Sequence, residues 1–189
     1  MRLHPHETPP AGPVRALAGR IAAQIPTLAI EDLMLRAPRA EDFHAYAEIV
    51  CSDRGNFVGG PLSREEAWTD FALMTATWVR RGHGVWTVTR DGEILGFVLV
   101  GFEPGDREPE LGFLFRIAAE GTGAACKAAR AARDFAAAHE LPSLVSYIDP
   151  NNTRAQALAR RLHATRDEAA ETALDGNEQI WRHSVSENA

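Results

Sequence analysis

Apolar positions along this chain recur with two different periods, and the changes between them mark its elements. In residues 42–51 the apolar side chains Phe43, Tyr46, Ala47 and Val50 fall on one helical face. After Ser63 the positions Ala67, Phe71, Met74 and Trp78 do the same. Ser63-Arg64-Glu65-Glu66 is a capping box, with the Ser63 hydroxyl placed to accept from the Glu66 amide, and Gly82 ends that helix. Residues 85–89 and 94–100 are instead continuous β-rich runs, and Asp91-Gly92 between them predicts a tight antiparallel hairpin. A strand candidate at 108–115 leads into the turn Glu120-Gly121-Thr122-Gly123-Ala124-Ala125, followed by an alanine-rich helix to about Glu140 that Leu141-Pro142 stops. Residues 33–36, 144–148, 164–169 and 179–183 read as further strands, and 14–25 and 152–162 as further helices. The order predicts an α/β fold: a central mixed, mostly antiparallel sheet of six to seven strands with helices on both faces.

The glycine turn is the feature that bears on chemistry. At a helix N-terminus the first backbone N–H groups have no intrahelical acceptor and the dipole is positive, so an anion meets ready donors. Gly121, Gly123, Ala124 and Ala125 carry little or no side chain and would let a pyrophosphate approach the backbone. The same glycines serve any turn that needs positive φ, and the local pattern alone does not choose between the two uses. It does argue against two other phosphate loops. A dinucleotide fingerprint would need its third glycine at Cys126 and a parallel βαβ context, whereas a hairpin precedes this turn. A Walker A loop needs Gly-Lys-Ser/Thr, whereas Lys127 lies between Cys126 and Ala128.

Composition narrows the class. The 189 residues suffice for one well-buried core and are too few for two large domains. Residues 1–30 read as an N-terminal arm with a short helix, loose and proline-rich to about residue 13, and 31–185 as a single domain. No apolar run approaches the ~20 residues of a membrane span, and Arg15 and Arg20 interrupt the N-terminal apolar segment where a secretory signal would lie. A cytoplasmic protein that binds no membrane is the expectation. The net charge of −6 argues against a nucleic-acid partner and is permissive for a cationic substrate. Cys51 and Cys126 form no CxxC pair and have no histidine at ligand spacing, so both read as buried thiols and no metal site is expected.

Taken in this order, strand, glycine turn, long helix, strand and asparagine-led helix resemble the GNAT acetyltransferase superfamily, in its RimJ/RimL-like branch, over roughly residues 33–183. Ala118-Ala119-Glu120-Gly121-Thr122-Gly123 matches the glycines of that family's R/Q-x-x-G-x-G/A turn but not its first position. Gly123-Ala124-Ala125-Cys126-Lys127-Ala128 stands where the branch usually reads Gly-Tyr-Ala-Thr-Glu-Ala. Asp149-Pro150-Asn151-Asn152-Thr153-Arg154-Ala155 looks like Pro-x-Asn-x-x-Ser, keeping Asn152 but offering Ala155 for the serine, and Leu162-His163-Ala164 replaces Leu-Gly-Phe. Residues 35–42 and 59–66 also look like the branch.

The resemblance implies a GNAT-like fold and acyl transfer from acetyl-CoA to a primary amine, either a protein N-terminus or a small molecule; it leaves room for a homodimer. It places the CoA pyrophosphate on the backbone of Glu120, Gly121, Thr122, Gly123, Ala124 and Ala125, and the pantetheine arm along the main chain of Phe113, Leu114 and Phe115, with Gly112 as the mark of a bulge. Glu110 is the candidate base and Tyr147 the candidate group that orients the amine or donates a proton. Each also has a plain structural use, Glu110 as a solvent-facing strand residue and Tyr147 as a core ring. Lys127 and Arg130 are candidates for CoA phosphates, Asn152 for an N-cap that also lies near the cofactor, and His83 for the substrate mouth. A second reading is a catalytically impaired acyl-CoA-binding protein, since Ala155 and Ala159 offer no proton. A third is a partner-binding domain that takes no CoA.

Overall fold

The structure is a computed structural model that describes residues 4–173 and 176–185. Eight strands form one sheet in the order β1-β2-β3-β4-β5-β6-β8-β7. They are β1 (Leu28–Ile30), β2 (Leu33–Arg36), β3 (Val85–Arg90), β4 (Glu93–Gly101), β5 (Glu110–Phe115), β6 (Val145–Ile148), β7 (Thr165–Arg166) and β8 (Gln179–Arg182). Every neighbouring pair is antiparallel except β5 and β6. The sheet exceeds the expected six to seven strands by β1, a three-residue edge whose period is too short to read. The candidate at 164–169 shrinks to the two-residue β7, because Asp167 caps the short helix α6 (Glu168–Glu171). Leu174 and Asp175, within the same segment, lie outside the described residues.

The helices are α1 (Gly12–Ala22), α2 (Phe43–Val50), α3 (Arg64–Arg81), α4 (Ala124–Ala138) and α5 (Thr153–Arg161), besides α6. Successive side chains of a strand point to opposite faces, and both faces of β3 and β4 are covered. Trp86, Val88, Val98 and Val100 meet α4, whereas Val85, Phe97 and Leu99 meet α2 and α3. Ala124, Ala128, Ala129, Ala132 and Ala136 of α4 are wholly buried. These short side chains bring the helix backbone close to the sheet, and Phe135 packs edge-on against Trp78 and Trp86. α3 buries Ala67, Phe71, Met74 and Trp78, as its period requires, and both hydrogen bonds of its capping box are present. The hairpin holds Asp91 and Gly92 at φ 49° and 84°, as a two-residue turn of its type demands.

Two expectations need correction. The segment before α1 is not loose throughout: Pro5–Glu7 forms a 3₁₀ turn, and the buried Glu7 carboxylate accepts from Arg64 Nε at 2.5 Å. Residues 1–3 of that arm lie outside the described residues. Cys51 is exposed and Cys126 half-buried, so neither is a buried thiol; Cys51 ends α2 and falls just beyond its inward-facing stripe.

Candidate functional site

The parallel pair β5 and β6 is joined at one register position, Glu110 opposite Val145, and beyond it the strands diverge. The sheet therefore splays, leaving the β6-facing edge of β5 from Gly112 onward without a strand partner among the described residues. A groove of about 1420 Å³ opens at this divergence, walled by α3, the loop between β4 and β5, and the start of α5. Gly112, Phe113, Leu114, Tyr147, Asn152 and Ala155 line it, and Glu110 stands where the strands part. The β4–β5 ladder runs through Gly112 without a register shift. Gly112 is needed for another reason, since a Cβ there would stand 2.5 Å from Leu99 Cδ2.

Glu110 is half-buried, and the backbone N–H of Tyr147 is its polar partner. Burial, reinforced by the charges of Glu103 and Asp106, pushes its carboxyl up to about 8. Tyr147 is held by its hydroxyl, which accepts the N–H groups of Arg107 and Glu108 at 3.2 Å each. That bonding uses the oxygen's lone pairs and leaves its proton unspent, and burial raises its pKa. Facing them across the groove, Tyr46 donates to Asp70 at 2.5 Å. Asp70, Glu103 and Asp106 are all raised, by burial in the first place.

At the far end of β5 the chain makes a 3₁₀ turn (Ile117–Ala119) and enters α4 through the glycine turn. Gly121 and Gly123 adopt φ 73° and 78°, and a Cβ on either would meet nothing within 4 Å. The first-turn amides of Ala125 and Cys126 have no carbonyl four residues back inside the helix. An open cradle of backbone donors at a helix N-terminus, following an unpaired strand edge in the chain, fits a long ligand with a phosphate end and an amide-bearing arm. The Glu120 carboxylate lies at this turn, where it accepts from Arg54 at 2.6 Å and also from Arg154. Two arginines from outside the motif thus bring cations to a turn whose first motif position is Ala118.

The predicted site residues divide accordingly. Glu110, Phe113, Leu114, Tyr147 and Asn152 share the groove, and Glu120 to Ala125 form the turn at the end of β5. Asn152 caps α5, its side-chain oxygen accepting from the Ala155 amide at 3.1 Å. Phe115 does not face the groove; its ring is buried against α4, so only its main chain is on offer. Lys127 is turned away as well: its ammonium pairs with Glu31 at 2.5 Å and Asp32 at 3.4 Å, on the turn between β1 and β2. Arg130 is exposed on the helix. His83 is not at the mouth but buried, its Nδ1 bonded to the Val100 carbonyl at 2.6 Å, and burial lowers its pKa. Sequence reasoning missed Tyr46, Asp70, Glu103, Asp106, Arg54 and Arg154, which reach the groove or the turn from elements far apart in the chain. Of these only Arg154 falls inside a quoted motif, at a position the motif leaves open.

Comparisons with known proteins agree with this architecture. The family model described as an acetyltransferase (GNAT) domain matches residues 32–165. An acetyltransferase from Agrobacterium tumefaciens str. C58 is 36% identical, with a TM-score of 0.80 over 85% of this chain and 95% of that one. The acetyltransferase from Salmonella typhimurium that modifies the N-terminal serine of ribosomal protein L7/L12 is 20% identical, with a TM-score of 0.64 over 84% of this chain and 95% of that one. RimL, the ribosomal L7/L12 alpha-N-protein acetyltransferase, solved with coenzyme A, is also 20% identical, with a TM-score of 0.66 over 84% and 96%. No curated protein matches the sequence. With a matching family model over most of its length, and a splayed sheet beside a glycine-turn helix, the chain belongs to the GNAT acetyltransferases, a family of acyl transfer from acyl-CoA.

Proposed function

We propose that the protein is an N-acetyltransferase that uses acetyl-CoA to acetylate a primary amine. The observation that carries this reading is Glu110, a half-buried carboxylate with a raised pKa placed where β5 and β6 part. The donor would supply an activated acyl thioester. Its phosphates would be held by the backbone of residues 120–125, with Arg54 and Arg154 as added cations, and its amide-bearing arm by the free edge of Phe113 to Phe115. Glu110 accepts the proton that the amine loses as the new C–N bond forms, directly or through a water. A base with a pKa of about 8 suits this task, because it binds the proton far more strongly than an ordinary carboxylate. Tyr147 is the proton source for the sulfur as the C–S bond breaks. The N-terminal serine acceptor of the Salmonella protein makes protein N-termini one candidate class, and small amines are the other.

A second reading is favoured by Ala155, which lines the groove where the family resemblance places a serine. In that reading acyl-CoA is bound and not turned over. Thiol release from acetyl-CoA in the presence of an amine panel separates the two. Turnover that drops ~10²–10⁴-fold in Glu110→Gln supports the enzyme and its base; an unchanged rate removes Glu110 from the mechanism. Binding without thiol release across the panel selects the second reading.

A further inference from the structure

Many carboxylates outside the groove are paired with arginine among the described residues. Glu7, Asp42, Glu48, Glu108, Asp167 and Glu171 each form an ion pair with an arginine. In the groove, Asp70 accepts from the Tyr46 hydroxyl, Asp106 from the Glu103 backbone N–H, and Glu110 from the Tyr147 backbone N–H, and none of these donors carries a charge. Glu103 has no basic partner among the described residues. Eight carboxylic residues line the groove and one basic residue, Arg107. These acids also sense one another, Glu103 repelling Glu110 and Asp70 repelling Glu103. Carboxyls gathered without a basic partner, and held above their ordinary range by burial and by one another, would have that strain relieved by a cation from outside.

The floor narrows the choice. Leu73, Met74 and Leu99 line the groove together with the carboxylates, and they also line a side chamber of about 440 Å³ beyond Glu103 and Asp106, where Arg80 and Arg81 stand as well. An apolar floor with an acidic rim matches an aliphatic chain that carries ammonium groups. We propose that the acceptor is a small aliphatic di- or polyamine, its reacting nitrogen at Glu110 and its second ammonium held by Glu103, Asp106 and Asp70. This inference rests on the acyl-transfer reading and adds the substrate class to it.

The test compares 1,4-diaminobutane with n-butylamine, and with a neutral peptide and a lysine-bearing peptide, by thiol release from acetyl-CoA. The diamine is expected to exceed the monoamine in kcat/KM by about 10-fold or more, and the ratio to shrink as salt is raised. In Glu103→Gln/Asp106→Asn the ratio should fall toward unity; should that variant not fold, Asp70→Asn, which keeps a side chain able to meet Tyr46, is read in the same way. Equal use of the monoamine, a preference for either peptide, or a diamine preference untouched by these substitutions overturns the inference while leaving acetyl transfer standing. Should no amine be acetylated although acetyl-CoA binds, the enzymatic reading falls. Calorimetric titration of 1,4-diaminobutane into the CoA-bound protein then decides the acidic site alone: binding weakened in the double variant upholds it, and no binding ends it.

Discussion

Glu110 shows how one position can be costly for the fold and useful for chemistry. Its ordinary pKa of 4.5 is pushed up to about 8 by burial and by Glu103 and Asp106. Between those two values the folded protein keeps a proton that the unfolded chain has released, so stability falls as pH rises through this window. Glu110→Gln removes the penalty. Above pH 8 the variant should melt about 2–4 °C higher than the parent, the shift expected for a gain near 1 kcal/mol in a chain of this size; a lower melting point there would show that the carboxylate is not penalised. The same titration should appear in turnover. With a weakly basic acceptor amine, the parent rate should climb as pH passes through about 8, whereas the Gln variant should be slow and flat, as stopped-flow thiol detection would read. Asn152 is the contrasting case, a residue whose local role was legible because an N-cap involves only its own next turn.

At the scale of the element, the junction of the glycine turn with α4 joins a backbone requirement to a ligand requirement. Gly123 is in the left-handed region at φ 78°, and the space above it is open. In Gly123→Ala the fold and the ligand site should be affected separately: about 1–2 kcal/mol of stability from the unfavourable φ, and a weaker acetyl-CoA affinity because the methyl group intrudes on the donor cradle. Denaturant melts and calorimetric titration measure these two effects. A variant that loses stability but binds acetyl-CoA as tightly as the parent would remove the turn from the proposed phosphate seat. The elements themselves were mostly readable, since α3 and the β3–β4 hairpin follow from a helical stripe, a capping box and one Asp-Gly turn. β1 and β7 were not, because strands of three and two residues carry no period and exist only through pairing with β2 and β8.

At the scale of the whole molecule, β5 leads from the sheet's splay through a short 3₁₀ turn to the glycine turn, so binding of a donor held at both should be coupled to global stability. Acetyl-CoA at 100 times its Kd should add ~2.7 kcal/mol and raise the melting temperature by roughly 5–10 °C. A flat thermal-shift response at saturating ligand would exclude both the enzyme and the acyl-CoA-binding reading. Family membership and the strand order around the turn could be reached from the sequence, because periodicity, caps and short motifs are encoded by neighbours in the chain; the candidates Glu110 and Tyr147 come from the resemblance those features carry. The misreadings share one cause. The place of Lys127 one turn into α4 points to a phosphate contact, but the turn between β1 and β2 presents Glu31 and Asp32 to it from nearly a hundred positions away. The loop around His83 points to the substrate mouth, yet the fold buries it against Val100. Which carboxylates face one another without an arginine, and which arginines converge on Glu120, depends on how α2, α3, the β4–β5 loop and α5 pack around the parted strands. The sequence alone determined the longer elements and the chemistry that the turn permits; the tertiary structure alone decided the shortest strands and the charge of the groove, because pairing and electrostatic environment are set by distance in space and local pattern by distance along the chain.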